Sequence, residues 1–379
     1  MSSEYREFQV FVKPVGARCN LVCSYCYYPG KKDLITPPPG VRMPDDLLEL
    51  YIRQHIEAST EPEIFFSWHG GEPTLAGLNF YRKALKYQER YRPSGTTIVN
   101  GMQTNATTIT EEWGSFLREG RFYVGVSLDG PEIYHNINRV RSSDKGSFAD
   151  VRRGLEIIRK NNVPHEFLCV VSDDNVHEPL EIYRFFKELG AAYITFLPMV
   201  EMSSSTPGEA SRRSVKPLDF GKFLSAIFDE WIEKDIGNLK VQIFEEALRT
   251  AFSQEHTLCI FKPVCGGVPV VEMNGDFFSC DHYVTPENKI GTINDTSLAS
   301  LLDHPRQKAF GLAKKDTLPC YCLECEVLDM CNGECPKNRF ITAPTGEPRL
   351  NYLCEGYRYF FNHCRPFANE VARIWRSGG

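Results

Sequence analysis

Three cysteines fall within eight residues, Cys19-Asn-Leu-Val-Cys23-Ser-Tyr-Cys26. Three thiolates at this spacing wrap one face of an iron–sulfur cubane, which is closed only by four ligands. With three, one iron stays open to an outside ligand, an arrangement suited to a substrate that the cluster reduces by direct coordination. Structural zinc is the competing reading, but such a site is closed by four protein ligands, and the sequence offers no fourth Cys or His nearby.

A richer set lies toward the other end: Cys259-x5-Cys265, then Cys280, then Cys322-x2-Cys325-x5-Cys331-x3-Cys335, and finally Cys354. These eight thiols suffice for two closed cubanes, and at such spacing a late cysteine of one run commonly ligates the other cluster. Two zinc sites would use the same count. Three of the 14 cysteines remain over. Cys169 sits in an apolar run and reads as a small buried residue. Cys364 reads as structural. Cys320 stands two residues before Cys322 and is expected not to bind iron.

The elements that must hold these groups follow from hydrophobic periodicity. Candidate strands at 8–13, 64–68, 96–103, 123–128, 165–171 and 193–197 alternate with helical patterns at 44–58, 79–92, 110–120, 147–161 and 177–190. Six strands separated by helices imply an α/β fold with a parallel sheet of right-handed βαβ units, open or part of a barrel. Catalytic groups in such folds lie at the carboxyl ends of strands. Residues 201–216 read as a polar loop or lid. A helical stretch at 218–253 leads to a cysteine-rich region whose core is expected to be built around metal rather than a large apolar interior. Pro37-Pro38-Pro39-Gly40 is the one low-complexity tract.

At 379 residues the chain is long for one core. We expect two domains, 1–235 and 236–379. The net charge of −6 gives no footprint for nucleic acid. No run is long enough to span a bilayer, and the polar start Met1-Ser2-Ser3-Glu4-Tyr5-Arg6-Glu7 has no signal-peptide core. A cytoplasmic, reducing setting is expected, where clustered cysteines are more often metal ligands than disulfides.

The Cys-x3-Cys-x2-Cys loop after the first strand, with Tyr25 before its last cysteine, resembles the radical-SAM superfamily. Gly70-Gly71-Glu72-Pro73, Gln103-Thr104-Asn105, Ser127-Leu128-Asp129-Gly130 and His135-Asn136-Ile137-Asn138-Arg139 follow in the order that family shows. The resemblance implies a partial (β/α)6 barrel that binds S-adenosylmethionine (SAM). It implies SAM contacts at Tyr25, Gly70, Gly71, Glu72, Asn105, Ser127, Arg139 and Leu197. The later cysteines are similar to the SPASM extension. By that likeness Cys259, Cys265, Cys280 and Cys335 hold one auxiliary [4Fe–4S] cluster, and Cys322, Cys325, Cys331 and Cys354 the other. Three clusters are thus implied in all, the gap before Cys354 being one residue longer than the commonest form.

Within that group the chain looks most like the anaerobic sulfatase-maturating enzymes, through Cys280-Asp281-His282-Tyr283-Val284, Asp316-Thr317-Leu318-Pro319 and Cys331-Asn332-Gly333-Glu334-Cys335-Pro336-Lys337. The resemblance implies oxidation of a Cys or Ser in a sulfatase Cys/Ser-x-Pro-x-Arg segment to Cα-formylglycine. It also implies that Asp281 is the general base, although a lone Asp there would otherwise be read as capping a turn. Tyr27 and His69 are candidate peptide contacts. A ferredoxin or flavodoxin is the expected electron donor. A related peptide maturase that forms thioether or carbon–carbon cross-links would share every cluster ligand, and Asp281 favours the oxidation.

Overall fold

The computed structural model describes residues 6, 8–28, 30, 42–206 and 208–378. Most of the polar start and the whole Pro37–Gly40 tract lie outside the described residues. In chain order the strands are β1 (Phe11–Val12), β2 (Glu63–Trp68), β3 (Thr97–Thr104), β4 (Phe122–Ser127) and β5 (His165–Val171). They continue as β6 (Tyr193–Pro198), β7 (Lys240–Val241), β8 (Val270–Val271), β9 (Asp276–Phe278) and β10 (Lys289–Thr292). The earlier helices are α1 (Asp45–Ala58), α2 (Leu78–Tyr91), α3 (Glu111–Glu119), α4 (Glu132–Asn138), α5 (Phe148–Lys160), α6 (Pro179–Glu188) and α7 (Pro217–Lys234). The later ones are α8 (Gln242–Ala251), α9 (Leu298–Leu302), α10 (Pro305–Asp316), α11 (Cys320–Leu323), α12 (Leu328–Cys331) and α13 (Cys354–Arg376).

Two compact units form, each from separate stretches of chain. One comprises Met1–Ser127, Asn138–His165 and Gly266–Gly311; the other comprises Leu128–Ile137, Glu166–Cys265 and Leu312–Gly379. In the first, the strand order is β10-β9-β8-β1-β2-β3-β4. Strands β1 to β4 pair in parallel, and β8 adds to β1 in parallel before β9 and β10 turn antiparallel. The alternating βα pattern dictates this, since each helix returns the chain to start the next parallel strand. Packed rings fill the core beside β2: Tyr51, Phe66, Trp68, Phe80 and Tyr81 are buried, with Trp68 and Tyr81 edge to face at 5.3 Å. α3 shows the local logic of a helix start. The Thr110 side chain accepts from the Trp113 N–H, and Glu111 and Glu112 occupy the positive end of the helix dipole.

The strand expected over 8–13 is regular only at Phe11–Val12. On the β8 side the chain is bonded further, with Gln9 donating to the Gly267 carbonyl, Phe11 to Pro269 and Lys13 to Val271. Pro269 has no N–H to return, so this flank is one-sided where a regular ladder needs both.

In the second unit β5, β6 and β7 form a parallel set. The single helical stretch expected over 218–253 divides into α7, β7 and α8. The break falls where Gly237 takes a φ of +83° and the Trp231 indole donates to the Leu239 carbonyl at 2.7 Å. The expectation of a metal-built core without a sizeable apolar interior is also corrected. α13 packs against α7 and α8 through edge-on and tilted rings: Phe220 with Tyr357 at 5.9 Å, Phe228 with Phe360 at 6.1 Å, and Phe244 with Phe360 at 5.6 Å. α7 and α13 cross so closely that a Cβ on Gly356 would lie 1.9 Å from the Pro217 carbonyl oxygen. This contact fixes the start of α13, where Cys354 sits.

Candidate functional site

The loop carrying Cys19, Cys23 and Cys26 leaves β1 at its carboxyl end, and three neighbouring segments of the first unit hold it. Val22 donates to the Val140 carbonyl at 2.8 Å and Ser24 to Asn138 at 3.0 Å. The Arg139 guanidinium, itself buried, lies 5.5 Å from the centre of the Tyr25 ring, a cation–π contact that fixes both. At the end of β3, Asn105 directs its amide to Asn20 at 2.9 Å and toward the Cys19 sulfur at 3.7 Å.

Gly70-Gly71-Glu72 follows β2 and lies directly on this loop. Gly71 and Glu72 donate to the Gly16 and Arg18 carbonyls at 2.8 and 2.9 Å. A Cβ on Gly71 would stand 2.1 Å from the Arg18 oxygen, so glycine here serves the approach of two backbones. The Glu72 carboxylate is fully buried and accepts from Thr74, Thr104 and the Asn105 N–H at 2.6 to 3.1 Å. Burial raises its pKa, and those donors tie the end of β2 to the end of β3. Ser127, at the end of β4, accepts from Gln103 at 2.9 Å. Leu197 lies on β6 in the second unit and is part-exposed.

Asp281 forms a second focus in the first unit. It is 8% exposed. The Lys13 ammonium reaches one carboxylate oxygen at 2.7 Å, and the Tyr27 hydroxyl donates to the other. Burial alone would push the Asp281 carboxyl up, but Lys13 and His282 outweigh it and hold the group well below the usual carboxylate range. Lys13 also lies over the Tyr28 ring at 4.6 Å, and the Tyr28 hydroxyl donates to buried Glu272. His69 stacks on Phe11 at 3.8 Å, and His282 packs 5.0 Å from Tyr27. The family resemblance singles out Asp281, with Tyr27 and His69 as candidate peptide contacts, but misses Lys13, Tyr28 and Glu272. A signal is present in the sequence: Lys13 ends the apolar run Val10–Val12, and Glu272 ends Val270-Val271, each a lone charge closing a short strand.

In the second unit Cys322, Cys325, Cys331 and Cys354 line one cavity with Tyr321 and Arg358. Cys259 and Cys265 belong to the same unit, as does Cys335; Cys280 belongs to the first. Among the described residues no three cysteine sulfurs come within 4.8 Å of one another. One zinc ion with bonds of about 2.3 Å needs its sulfurs about 3.8 Å apart. A cubane gives each sulfur its own iron and takes a wider set, and the cavity lined by Cys322, Cys325, Cys331 and Cys354 offers four such donors. Burial pushes the Cys19 thiol up to about 11 and the Cys354 thiol up to about 12. Both are therefore protonated until a metal displaces the proton. Cys169 and Cys364 are fully buried, whereas Cys320 is exposed.

Residues 14–186 match the radical SAM superfamily and residues 259–326 match SPASM, an iron–sulfur cluster-binding domain. The chain is 43% identical over 377 residues to a serine-type anaerobic sulfatase-maturating enzyme of Bacteroides thetaiotaomicron, covering 96% of this chain and 91% of that one. It is 31% identical over 365 residues to a cysteine-type anaerobic sulfatase-maturating enzyme of Clostridium perfringens, covering 96% and 98%. A solved structure of native anSMEcpe with bound AdoMet and Kp18Cys peptide superposes with a TM-score of 0.87 at 30% identity, covering 97% of this chain and 99% of that one.

Proposed function

Because the chain belongs to the anaerobic sulfatase-maturating enzymes of the radical SAM superfamily, we propose that it oxidises a Cys or Ser side chain of a sulfatase to Cα-formylglycine. The observation that carries this reading is the buried Lys13–Asp281 ion pair, met by the Tyr27 hydroxyl, which sets an ionised carboxylate beside the loop of three cysteines. When bound, SAM and a reduced [4Fe–4S] cluster supply the 5′-deoxyadenosyl radical that removes a hydrogen atom from the substrate Cβ, and an auxiliary cluster takes up the one electron released.

The protein's own residues then have defined tasks. Cys19, Cys23 and Cys26 hold the SAM-cleaving cluster. Tyr25, Gly70, Gly71, Glu72, Asn105, Ser127, Arg139 and Leu197 form the SAM site. Cys259, Cys265, Cys280 and Cys335 serve one auxiliary cluster, and Cys322, Cys325, Cys331 and Cys354 the other. Asp281 accepts the thiol or hydroxyl proton as the carbon–heteroatom double bond forms. Lys13 keeps that carboxylate ionised and fixed, and Tyr27 orients its second oxygen. For a Cys substrate the thioaldehyde then exchanges sulfur for water oxygen, releasing hydrogen sulfide. We assign the radical chemistry to residues 1–235 and the auxiliary clusters to 236–379. The electron donor is a ferredoxin or flavodoxin, and the setting is the cytoplasm. No described helix is long and apolar enough to cross a membrane.

The test is anaerobic incubation of reconstituted protein with SAM, reductant and peptides carrying Cys-x-Pro-x-Arg or Ser-x-Pro-x-Arg, read by mass spectrometry. Aldehyde formation removes about 18 mass units from the Cys peptide or about 2 from the Ser peptide, with 5′-deoxyadenosine alongside. SAM cleavage with both peptides unchanged would redirect the reading to a cross-linking maturase.

A further inference from the structure

Three buried ionic groups of the second unit carry an excess positive charge among its cysteines. Lys314 is 1% exposed, Arg339 7% and Glu334 3%. Lys314 donates to the Cys259 and Ile260 carbonyls, both at 2.7 Å. Arg339 donates to the carbonyls of Lys314 at 2.5 Å, Gly333 at 2.8 Å, Asn332 at 2.9 Å and Glu334 at 3.2 Å. The Glu334 carboxylate is held by the Asn351 and Asn338 amides at 2.6 and 3.0 Å. Two cations thus face one anion, and the bonds of both cations go to backbone carbonyls, which carry no net charge. Buried charge in that state is costly unless an anion is close.

Beyond Glu334, the groups within reach that become anionic on binding iron are cysteine sulfurs. Lys314 interacts electrostatically with Cys259 and Cys265, and Arg339 with Cys322, Cys331 and Cys335. A cubane on four thiolates is anionic and gains a further negative charge on reduction. A fixed positive charge nearby therefore favours the reduced form and raises the potential. We propose that Lys314 and Arg339 are positioning residues that raise the reduction potential of the auxiliary clusters, so that these can take the electron leaving the substrate. Lys314 acts on the centre held by Cys259 and Cys265, and Arg339 lies among cysteines of both sets. The proposal rests on the reading that the auxiliary clusters are the electron acceptors. Arg339 also braces four carbonyls, so Lys314 is the residue that separates charge from scaffolding.

The experiment uses the full chain bearing Cys19→Ala, Cys23→Ala and Cys26→Ala, so that only auxiliary iron is read, and no peptide is added. Potentiometric titration followed by electron paramagnetic resonance compares Lys314 with Lys314→Gln, which keeps a donor without charge, and Lys314→Arg, which keeps the charge. We expect Lys314→Gln to lower the equilibrium constant for reducing one of the two clusters at least tenfold, which is 59 mV for one electron. Lys314→Arg should hold it within threefold of the parent. Equal potentials in all three proteins would overturn the proposal. So would loss of auxiliary iron in both variants, because Lys314 would then be a clip for the Cys259 loop. Since no substrate is present, either outcome is independent of whether the enzyme matures a sulfatase.

Discussion

At the scale of single residues, Asp281 and Lys13 make separable contributions although they touch. Lys13 is 2% exposed and its ammonium lies 2.7 Å from Asp281, so each neutralises the other where water cannot. Asp281→Asn leaves Lys13 an acceptor oxygen but cannot receive a proton. Loss of a positioned base costs about 100-fold or more. Aldehyde yield in Asp281→Asn should fall by that factor while 5′-deoxyadenosine still forms, a split visible by running both assays on one sample. Lys13→Met instead leaves a buried carboxylate without its partner, a loss of about 3–5 kcal/mol, and should appear as a lowered unfolding temperature. Unimpaired aldehyde formation in Asp281→Asn would remove that carboxylate from the reaction.

At the scale of elements, one device ties α8 to the cysteine-bearing loops of the second unit. Glu246 on α8 accepts from His256 at 2.8 Å and from the Thr257 and Leu258 N–H groups at 3.1 Å, while the other ring nitrogen of His256 meets the Asp329 carbonyl at 3.0 Å. Burial lowers the His256 pKa, but Glu246 and that carbonyl more than offset it, and the net shift is upward. Burial raises the Glu246 pKa, but its donors outweigh burial and the net shift is downward. A raised His stabilises the fold fully below its unfolded pKa of about 6.5 and loses that effect as pH rises through the folded value. A lowered Glu stabilises above about 4.3 and loses the effect as pH falls through its folded value. The unfolding temperature of the parent relative to His256→Gln should therefore stand highest between about pH 4.5 and 6.5 and shrink as pH rises through the folded His256 value; a difference unchanged from about pH 5 to about pH 9 would sink the idea. None of this is legible in the sequence, because Glu246, His256 and Asp329 have no common spacing. Local patterns do reveal α1, α2, α3, α5, α6 and β2 to β6, whose periodicity matches their packing, but not the short α4. They overstate β1, whose Pro269 neighbour leaves the ladder one-sided, and overlook α13, where apolar residues at 357, 360, 361, 364 and 368 carry a helical period. The cysteine loop stands out by type and spacing, and Asp281 only through the family resemblance. Of the side chains that brace them, Lys13 and Glu272 show only as lone charges closing short apolar runs, and Lys314 and Arg339 are ordinary until folding buries them.

At the scale of the whole molecule, separate elements build separate cysteine sites. The Cys19–Cys26 loop is anchored by Asn138, Val140 and Asn105, and the backbone leading into it by Gly71 and Glu72. The cavity of Cys322, Cys325, Cys331 and Cys354 depends on α11, α12 and the start of α13, and the ring contacts of Tyr357, Phe360 and Phe361 hold α13 in place. Removing the first set should therefore leave the other intact. In the variant Cys19→Ala, Cys23→Ala and Cys26→Ala, iron should fall from about twelve to about eight per chain, the content of two cubanes. The protein should stay brown and folded, and SAM cleavage should be abolished, since no open iron remains to bind it. Iron analysis beside a 5′-deoxyadenosine assay reads both quantities. Iron falling to nothing would mean that the N-terminal loop is needed to assemble every cluster, and the aromatic packing of α13 would then be insufficient to preform its site.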